Sequence, residues 1–149
     1  PMTLLQKNKK ASFNYEILEK YTGGLSLFGF EVKAVKQNVG GSISEAYVKI
    51  KGDEVFLVGA HIPPYQPKNT PVEYDPYRER KILLSRKEIE ELKKKVKESS
   101  LTIVPISLYN KGRYVKIDIA LARGKKIVDK RQSIKKRDME RDLGRRLKN

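Results

Sequence analysis

Cysteine and tryptophan are absent from this chain of 149 residues, and histidine occurs once, at His61. The lack of cysteine excludes disulfides, thiolate metal sites and thiol nucleophiles, and it leads us to expect a cytoplasmic protein. A single histidine excludes a metal site with several histidines, and no serine lies in a G-x-S-x-G motif. No apolar run reaches the roughly 18 residues of a membrane-spanning helix, and no signal-peptide core is recognisable.

Positive charge is what the chain has in excess. Lysine and arginine together number 33 against 18 acidic residues, which gives a formal net charge of +15. The last 27 residues carry twelve basic and four acidic residues, or +8, and residues 1–122 carry the remaining 21 − 14 = +7. Charge of this size predicts a polyanionic partner, with nucleic acid as the first candidate and an anionic membrane as the rival.

The residue patterns predict one domain that consists mainly of β-strands. Residues 1–10 give weak signals and are expected to form a partly mobile basic lead-in. Apolar residues that alternate from Ala11 to Ile17 predict a strand, which Gly23 and Gly24 interrupt. A short helix is predicted to follow and to end near Asn38.

Further along, two β-hairpins are predicted, over residues 47–62 and 101–122, with turns at positions 51–54 and 110–113. Between them, five prolines in residues 63–77 predict a long extended loop. A capping box at Ser85 and Glu88 then begins a helix that reaches about Ser99. Many strands with short turns and two or three helices favour a small antiparallel β-barrel over residues 11–122, rather than βαβ units.

Residues 123–149 differ in character from the rest. Met139, Leu143 and Leu147 recur at helical spacing, but they form only one narrow apolar stripe, and Gly144 interrupts it. A helix shorter than about 15 residues is marginal in water unless it packs on a surface. We therefore expect this tail to be disordered when free and helical when bound.

Candidate chemistry is sparse. His61 is open to three interpretations, a structural role, an RNA contact or catalysis, and acidic residues in turns and loops leave a Mg²⁺-dependent nuclease open. Basic residues recur beside phenylalanine and tyrosine in three places, a pattern typical of single-stranded RNA binding because cations contact phosphates and aromatic rings stack on bases. We expect no cofactor and no metal.

Seven sequence blocks together resemble the SsrA-binding protein (small protein B) family in order and spacing. They are NKKA at 8–11, GFEVKAV at 29–35, AYVKI at 46–50, AHIPPY at 60–65, DPYRERKILLSRKEI at 75–89, VPISLY at 104–109 and GKKIVDKR at 124–131. One block alone would be weak evidence, but the set covers nearly the whole chain.

The resemblance implies a closed, six-stranded antiparallel barrel with an oligonucleotide-binding-like core, and no enzymatic activity. It implies an adaptor that binds the tRNA-like domain of transfer-messenger RNA (tmRNA) and delivers it to stalled ribosomes for trans-translation, which is a form of ribosome rescue. The tail is then expected to become helical in the vacant mRNA path near the decoding centre of the small subunit. We expect a monomer when the protein is free. A ribosomal structural protein would share the same basic composition and remains an alternative.

The resemblance also implies two sets of binding residues. The RNA-binding set is Asn8, Lys9, Lys10, Phe13, Glu31, Lys33, His61, Arg80, Lys81, Leu83, Lys116, Lys125 and Lys126. The ribosome-engaging tail set is Asp129, Lys130, Arg131, Lys135, Lys136, Arg137, Met139, Arg141 and Leu143. Two positions depart from the family pattern, which often has histidine in place of Phe13 and an acidic residue in place of Thr22.

Overall fold

The computed structural model describes residues 2–125, 131, 134–139 and 141. Seven strands and three α-helices follow one another in these residues, with a short 3₁₀ turn at Pro67–Asn69. In chain order they are β1 (Met2–Lys7), α1 (Lys9–Asn14), β2 (Tyr15–Leu25), α2 (Gly29–Lys36), β3 (Tyr47–Lys51), β4 (Glu54–Val58), β5 (Arg80–Leu83), α3 (Arg86–Ser99), β6 (Thr102–Lys111) and β7 (Tyr114–Gly124).

All seven strands belong to one antiparallel sheet in the order β1-β6-β7-β2-β5-β4-β3. The mainly-β, antiparallel prediction is therefore confirmed. The six-stranded closed barrel is not confirmed, because there are seven strands and no ladder joins β1 to β3 in the described part of the chain. The sheet nevertheless curls, since Cα atoms of β3 come within 8 Å of β6.

Both predicted hairpins are present, as β3–β4 and β6–β7. In β7 the residues Val115, Ile117, Ile119 and Leu121 are buried, as their alternation with polar residues predicts. The predicted capping box begins α3. The Ser85 side chain accepts a hydrogen bond from the Glu88 amide, and the Glu88 side chain accepts one from the Ser85 amide. In these two hairpins and at the start of α3, the period-two pattern and the cap residues predicted the structure correctly.

The start of the chain differs from its prediction. Residues 2–7, expected as part of a mobile lead-in, form the edge strand β1, which pairs with β6. Residues 9–14, most of them expected in a strand, form α1 because the Asn8 side chain accepts from the Lys10 amide and caps the helix. An edge strand with an exposed Leu4 has little alternation to detect.

Apolar side chains from α2, α3 and the central strands fill the interior of the curled sheet. Leu57, Leu108 and Ile117 are fully buried on the concave face, and Val35 of α2 and Leu92 of α3 pack against the same cluster. Each such side chain contributes about 1.5–3 kcal/mol by leaving water. Helices α2 and α3 therefore cover the core, whereas α1 packs on the other side of the sheet, where Ala11 contacts a small cluster of Val104, Ala120 and Ala122.

Strand β2 continues through Gly23 and Gly24, where the sequence predicted an interruption. The reason is a close approach between β2 and β5. A Cβ atom on Gly23 would lie 2.8 Å from the carbonyl oxygen of Leu83 and 2.9 Å from Cδ2 of Leu84. Glycine at position 23 therefore allows the two strands to meet.

We expect Gly23→Ala to destabilise the protein by about 1–3 kcal/mol, because the added methyl group must displace backbone as well as side-chain atoms. Gly24→Ala is the matched control. Its Cβ would meet Cδ1 of Leu83 at 3.6 Å, an ordinary contact, so this variant should be neutral or up to about 1 kcal/mol more stable. Urea unfolding measures both, and equal effects at the two positions would contradict the steric explanation.

Candidate nucleic-acid interface

A buried ion-pair network ties three parts of the chain together. The carboxylate of Glu31 on α2 accepts from Nε of Arg80 on β5 at 2.8 Å and from Nε of Arg78 at 3.1 Å. The hydroxyl of Tyr74 lies 2.9 Å from the same carboxylate. Arg80 also donates to the carbonyl of Ala60 at 2.7 Å, so α2, β5 and the long loop share one set of contacts.

Two residues predicted to face RNA, Glu31 and Arg80, are fully buried in this network, each with a side-chain exposure of 0%. Protein groups already contact both side chains, and a direct contact of either one with RNA stays a prediction. Burial is tolerated since each charge finds a partner and further hydrogen bonds. The two residues together join α2 and β5 to the long loop, through Tyr74 and the Pro76 carbonyl.

The network fixes the protonation of its members. Burial raises the pKa of Glu31, but hydrogen bonds from Arg78 and the Phe28 amide, with the charge of Arg80, outweigh it and hold the pKa below its usual value. Burial and the hydrogen bond to Glu31 raise the pKa of Tyr74 to about 12. At neutral pH the carboxylate is therefore charged and the tyrosine remains a donor.

Aromatic rings surround the anchored loop. The ring of His61 lies 4.7 Å from that of Tyr77, tilted by 39°. The backbone of His61 pairs with Ser42 in a β-bridge, and Tyr77 is 58% exposed. Nearby, the guanidinium of Arg78 lies 4.1 Å from the ring centre of Phe28, whose side chain is half exposed. Exposed ring faces of this kind can stack on unpaired bases.

A row of directly paired residues crosses the solvent side of the sheet. Tyr109 of β6 pairs with Lys116 of β7, Lys116 with Gly24 of β2, and Gly24 with Leu83 of β5. Leu83 is 53% exposed, and Lys81 lies two residues before it on the same face. We call this surface the outer sheet face. It brings together Lys81, Leu83 and Lys116, three of the predicted site residues.

A second group of predicted residues surrounds α1. Asn8 is buried, and its Nδ2 donates to the Pro105 carbonyl at 2.9 Å, so its role here is to cap and anchor the helix. Lys9 is exposed and Phe13 is half-buried. The Lys125 ammonium donates to the Ser12 carbonyl at 2.8 Å, which brings the far end of β7 to the same helix.

Several predicted lysines differ in whether an acid already neutralises them. Lys10 pairs with Glu45, and Lys81 lies 3.6 Å from Glu54. Lys9, Lys33 and Lys116, by contrast, have no carboxylate within 4.0 Å among the residues that the structure describes. These three cations are the ones best placed to meet a phosphate.

Part of the predicted tail set is described, and those residues are helical and exposed. They are Arg131, Lys135, Lys136, Arg137, Met139 and Arg141. Lys126, Asp129, Lys130 and Leu143 lie outside the described residues. The expectation that the tail is disordered when free stays a prediction.

Sequence reasoning missed one polar cluster on the outer sheet face. Asp118 of β7 accepts from the hydroxyl of Thr22 at 2.7 Å, with the hydroxyls of Tyr109 and Ser107 at 3.3 and 3.4 Å. Alternation along β7 does predict that Asp118 points outward, but only the strand register reveals its partners. In the described part of the chain, the structure contains no cluster of acidic and histidine side chains suited to a metal ion. No described helix is long and apolar enough to cross a membrane.

Comparisons with known proteins show similarity along nearly the whole chain. A family model described as SmpB protein matches residues 5–149. The SsrA-binding protein of Mesoplasma florum is 50% identical over 141 residues, which cover 95% of this chain and 94% of that protein. The SsrA-binding protein of Burkholderia lata is 51% identical over 138 residues, which cover 93% of each.

A solved structure is also similar. It comes from work described as "tmRNA-SmpB: a journey to the center of the bacterial ribosome", and its chain is 36% identical in sequence. The alignment covers 84% of this chain and 87% of the other, with a TM-score of 0.67. The similarity therefore extends from sequence to the three-dimensional arrangement.

We expect Glu31→Gln to lower the free energy of unfolding by about 3–5 kcal/mol, because it leaves the buried guanidinium of Arg80 without its counter-charge. The matched control is Glu45→Gln, the same chemical change in an exposed pair with Lys10, for which a loss below about 1 kcal/mol is expected. Urea unfolding at pH 7 measures both. Equal losses would mean that the buried pair stabilises no more than a surface pair.

Glu31→Gln should also change how the free energy of unfolding depends on pH. The folded pKa of Glu31 lies below its ordinary value of 4.5, so its pairing stabilises the protein fully above pH 4.5, and that stability is lost as the pH falls through the folded pKa. Wild type should therefore lose more stability than Glu31→Gln between pH 5 and pH 3. Parallel pH profiles for the two proteins would argue against this assignment.

Proposed function

The chain belongs to the SmpB protein family, and from that premise we propose that it is an RNA-binding adaptor of ribosome rescue. It binds tmRNA and takes it to the ribosome in trans-translation. The observation that carries this function is the match, over more than nine tenths of the chain, to proteins named for SsrA binding. The similarity to a chain from a tmRNA–SmpB study adds the ribosome as the second partner.

Within the body of the protein, the outer sheet face and the surroundings of α1 are the proposed contacts for the tRNA-like domain. Lys9, Lys33 and Lys116 meet phosphates, because they carry charge that no described acid neutralises. Leu83 and the exposed rings near His61 supply apolar and stacking contacts. Glu31, Arg80 and Asn8 act indirectly, since they position the loop and α1.

The basic tail is the proposed contact with ribosomal RNA. Its net charge of +8 over 27 residues matches a polyphosphate path better than a protein core. Arg131, Lys135, Lys136 and Arg137 are exposed on helical residues, so their charges are accessible. Helix formation becomes favourable once phosphates neutralise the repulsion among them.

Adaptor function needs no catalytic step, and we propose none. The protein positions tmRNA on the ribosome, and the ribosome itself catalyses peptide transfer. We also propose that it acts in the cytoplasm, where ribosomes translate, and that the curled sheet serves as an oligonucleotide-binding-like barrel. The approach of β3 to β6 supports that last proposal.

The decisive measurement compares the affinity of the full chain for three RNAs, namely intact tmRNA, its isolated tRNA-like domain and an ordinary tRNA. We expect the first two to bind within several-fold of each other, and the third to bind more weakly. A ribosomal structural protein would bind ribosomes without preferring either tmRNA form. Equal affinity for all three RNAs would contradict the adaptor assignment.

Affinity for the tRNA-like domain should fall steeply with salt, by about 0.7–0.9 log units per log unit of salt for each phosphate neutralised. Lys116→Ala should therefore reduce the slope by about one unit if this lysine meets a phosphate. Lys97→Ala, in the exposed last turn of α3, is the control and should leave the slope unchanged. A Lys116→Ala protein with an unaltered slope would remove that lysine from the interface.

Deletion of residues 132–149 should separate the two binding activities. We expect affinity for the tRNA-like domain to stay within several-fold of wild type, because the proposed contacts of the body lie before residue 132. Tagging of stalled chains in a reconstituted translation system should be lost. Loss of tRNA-like domain binding on truncation would show that the tail belongs to the first interface.

A further inference from the structure

Asp118 is a carboxylate on the outer sheet face, close to Lys116, which is one of the proposed phosphate contacts. Asp118 lies two residues from Lys116 on β7, and its neighbours Ile117 and Ile119 are buried, so its side chain lies on the outer sheet face. It pairs directly with Thr22 of β2 on one side and Ser107 of β6 on the other. Asp118 therefore occupies the middle of the three-strand segment that Lys116 also crosses.

Three hydroxyl groups hold this carboxylate, but they do not saturate it. Thr22 makes a short bond at 2.7 Å, whereas Tyr109 and Ser107 lie at 3.3 and 3.4 Å, near the limit for a hydrogen bond. A carboxylate has about four acceptor positions, so at least one is left for another donor. No lysine or arginine lies within 4.0 Å of it among the residues that the structure describes.

An unpaired acid on a phosphate-binding face has two opposite effects. Its charge repels phosphate, which weakens binding to every polyanion alike. Its free acceptor position, however, can take a hydrogen bond from a group that phosphate lacks, such as a base amino group or a ribose 2′-hydroxyl. Only the second effect distinguishes one RNA from another. The hydroxyl groups of Thr22 and Tyr109 favour the second effect, since they orient the carboxylate instead of neutralising it.

We infer that Asp118 is a specificity-determining residue of the RNA-binding face. Its carboxylate, oriented by Thr22, accepts a hydrogen bond from an amino group of an unpaired base or from a 2′-hydroxyl of the tRNA-like domain. This inference rests on the proposed function, because it takes the outer sheet face as the RNA-binding surface. Lys116 supplies attraction for any polyanion, and Asp118 restricts that attraction to an RNA with a donor at the right place.

Loss of the charge on Asp118 should raise affinity if the carboxylate only repels phosphate, and should lower affinity for the RNA if the carboxylate accepts a hydrogen bond from it. Asp118→Asn in the full chain removes the charge but keeps the size and one acceptor oxygen. Affinity for the tRNA-like domain should fall by about 10- to 100-fold, the usual value of a hydrogen bond to a charged group. Affinity for inorganic polyphosphate, which has neither bases nor riboses, should stay equal or rise. An affinity that rises for both probes would overturn the inference, because the acid would then only repel phosphate.

A second variant keeps the net charge constant. Thr22→Val removes the shortest hydroxyl contact of Asp118 with a side chain of similar shape. If Thr22 orients the carboxylate of Asp118, Thr22→Val should lower affinity for the tRNA-like domain several-fold and leave polyphosphate binding unchanged. If Asp118 only repels phosphate, Thr22→Val should not lower either affinity. Thermal melting of both variants verifies that they fold, and a Thr22→Val protein that binds like wild type counts against the inference.

A chemical change in the RNA identifies the group that donates the hydrogen bond to Asp118. If the penalty of Asp118→Asn disappears on a tRNA-like domain with 2′-deoxyribose in its unpaired loops, the donor is a ribose hydroxyl. If the penalty persists, the donor is a base. Failure of the proposed function itself looks different, because wild type would then bind the tRNA-like domain no better than an ordinary tRNA.

Discussion

The pairing of Glu31 with Arg80 is the contact that holds α2, β5 and the long loop together. It joins a helix to a strand 49 positions further along the chain, and Tyr74 and the Pro76 carbonyl extend it into the long loop. Burial of two charges is expensive, so the network is stable only when all of its partners are present. A proline-rich loop that would otherwise sample many conformations is thereby tied to the rigid sheet at several points.

The composition of the outer sheet face depends on which parts of the sheet the helices cover. Helices α2 and α3 pack on the inner side and α1 covers only the part of the outer side around Ala120 and Ala122, so Leu83 stays in contact with water. Gly23 brings β2 against β5, and Gly24 leaves a flat place between Lys116 and Leu83. The surface is therefore shaped by the backbone as much as by side chains.

Local signals allowed most strands and helices to be predicted, because alternation, turn residues and caps act over a few positions. The binding residues were harder. Arginine and glutamate are usually exposed, so the burial of Glu31 and Arg80 follows only from a partner that the fold supplies. The helix after Asn8 is too short to show a period, and its cap is the sole cue. The role of Asp118 depends on the register that puts Thr22 opposite it, 96 residues away along the chain.

The open order of the sheet also bears on self-association. A sheet with two free edges offers unpaired backbone groups to a second copy, which is the usual origin of edge-to-edge aggregation. Here one edge, β3, is only five residues long and carries exposed Lys49 and Lys51, and the other, β1, is distorted by a bulge between Leu4 and Gln6. Like charges and a broken register both oppose strand addition, although no ladder closes the sheet in the part of the chain that the structure describes.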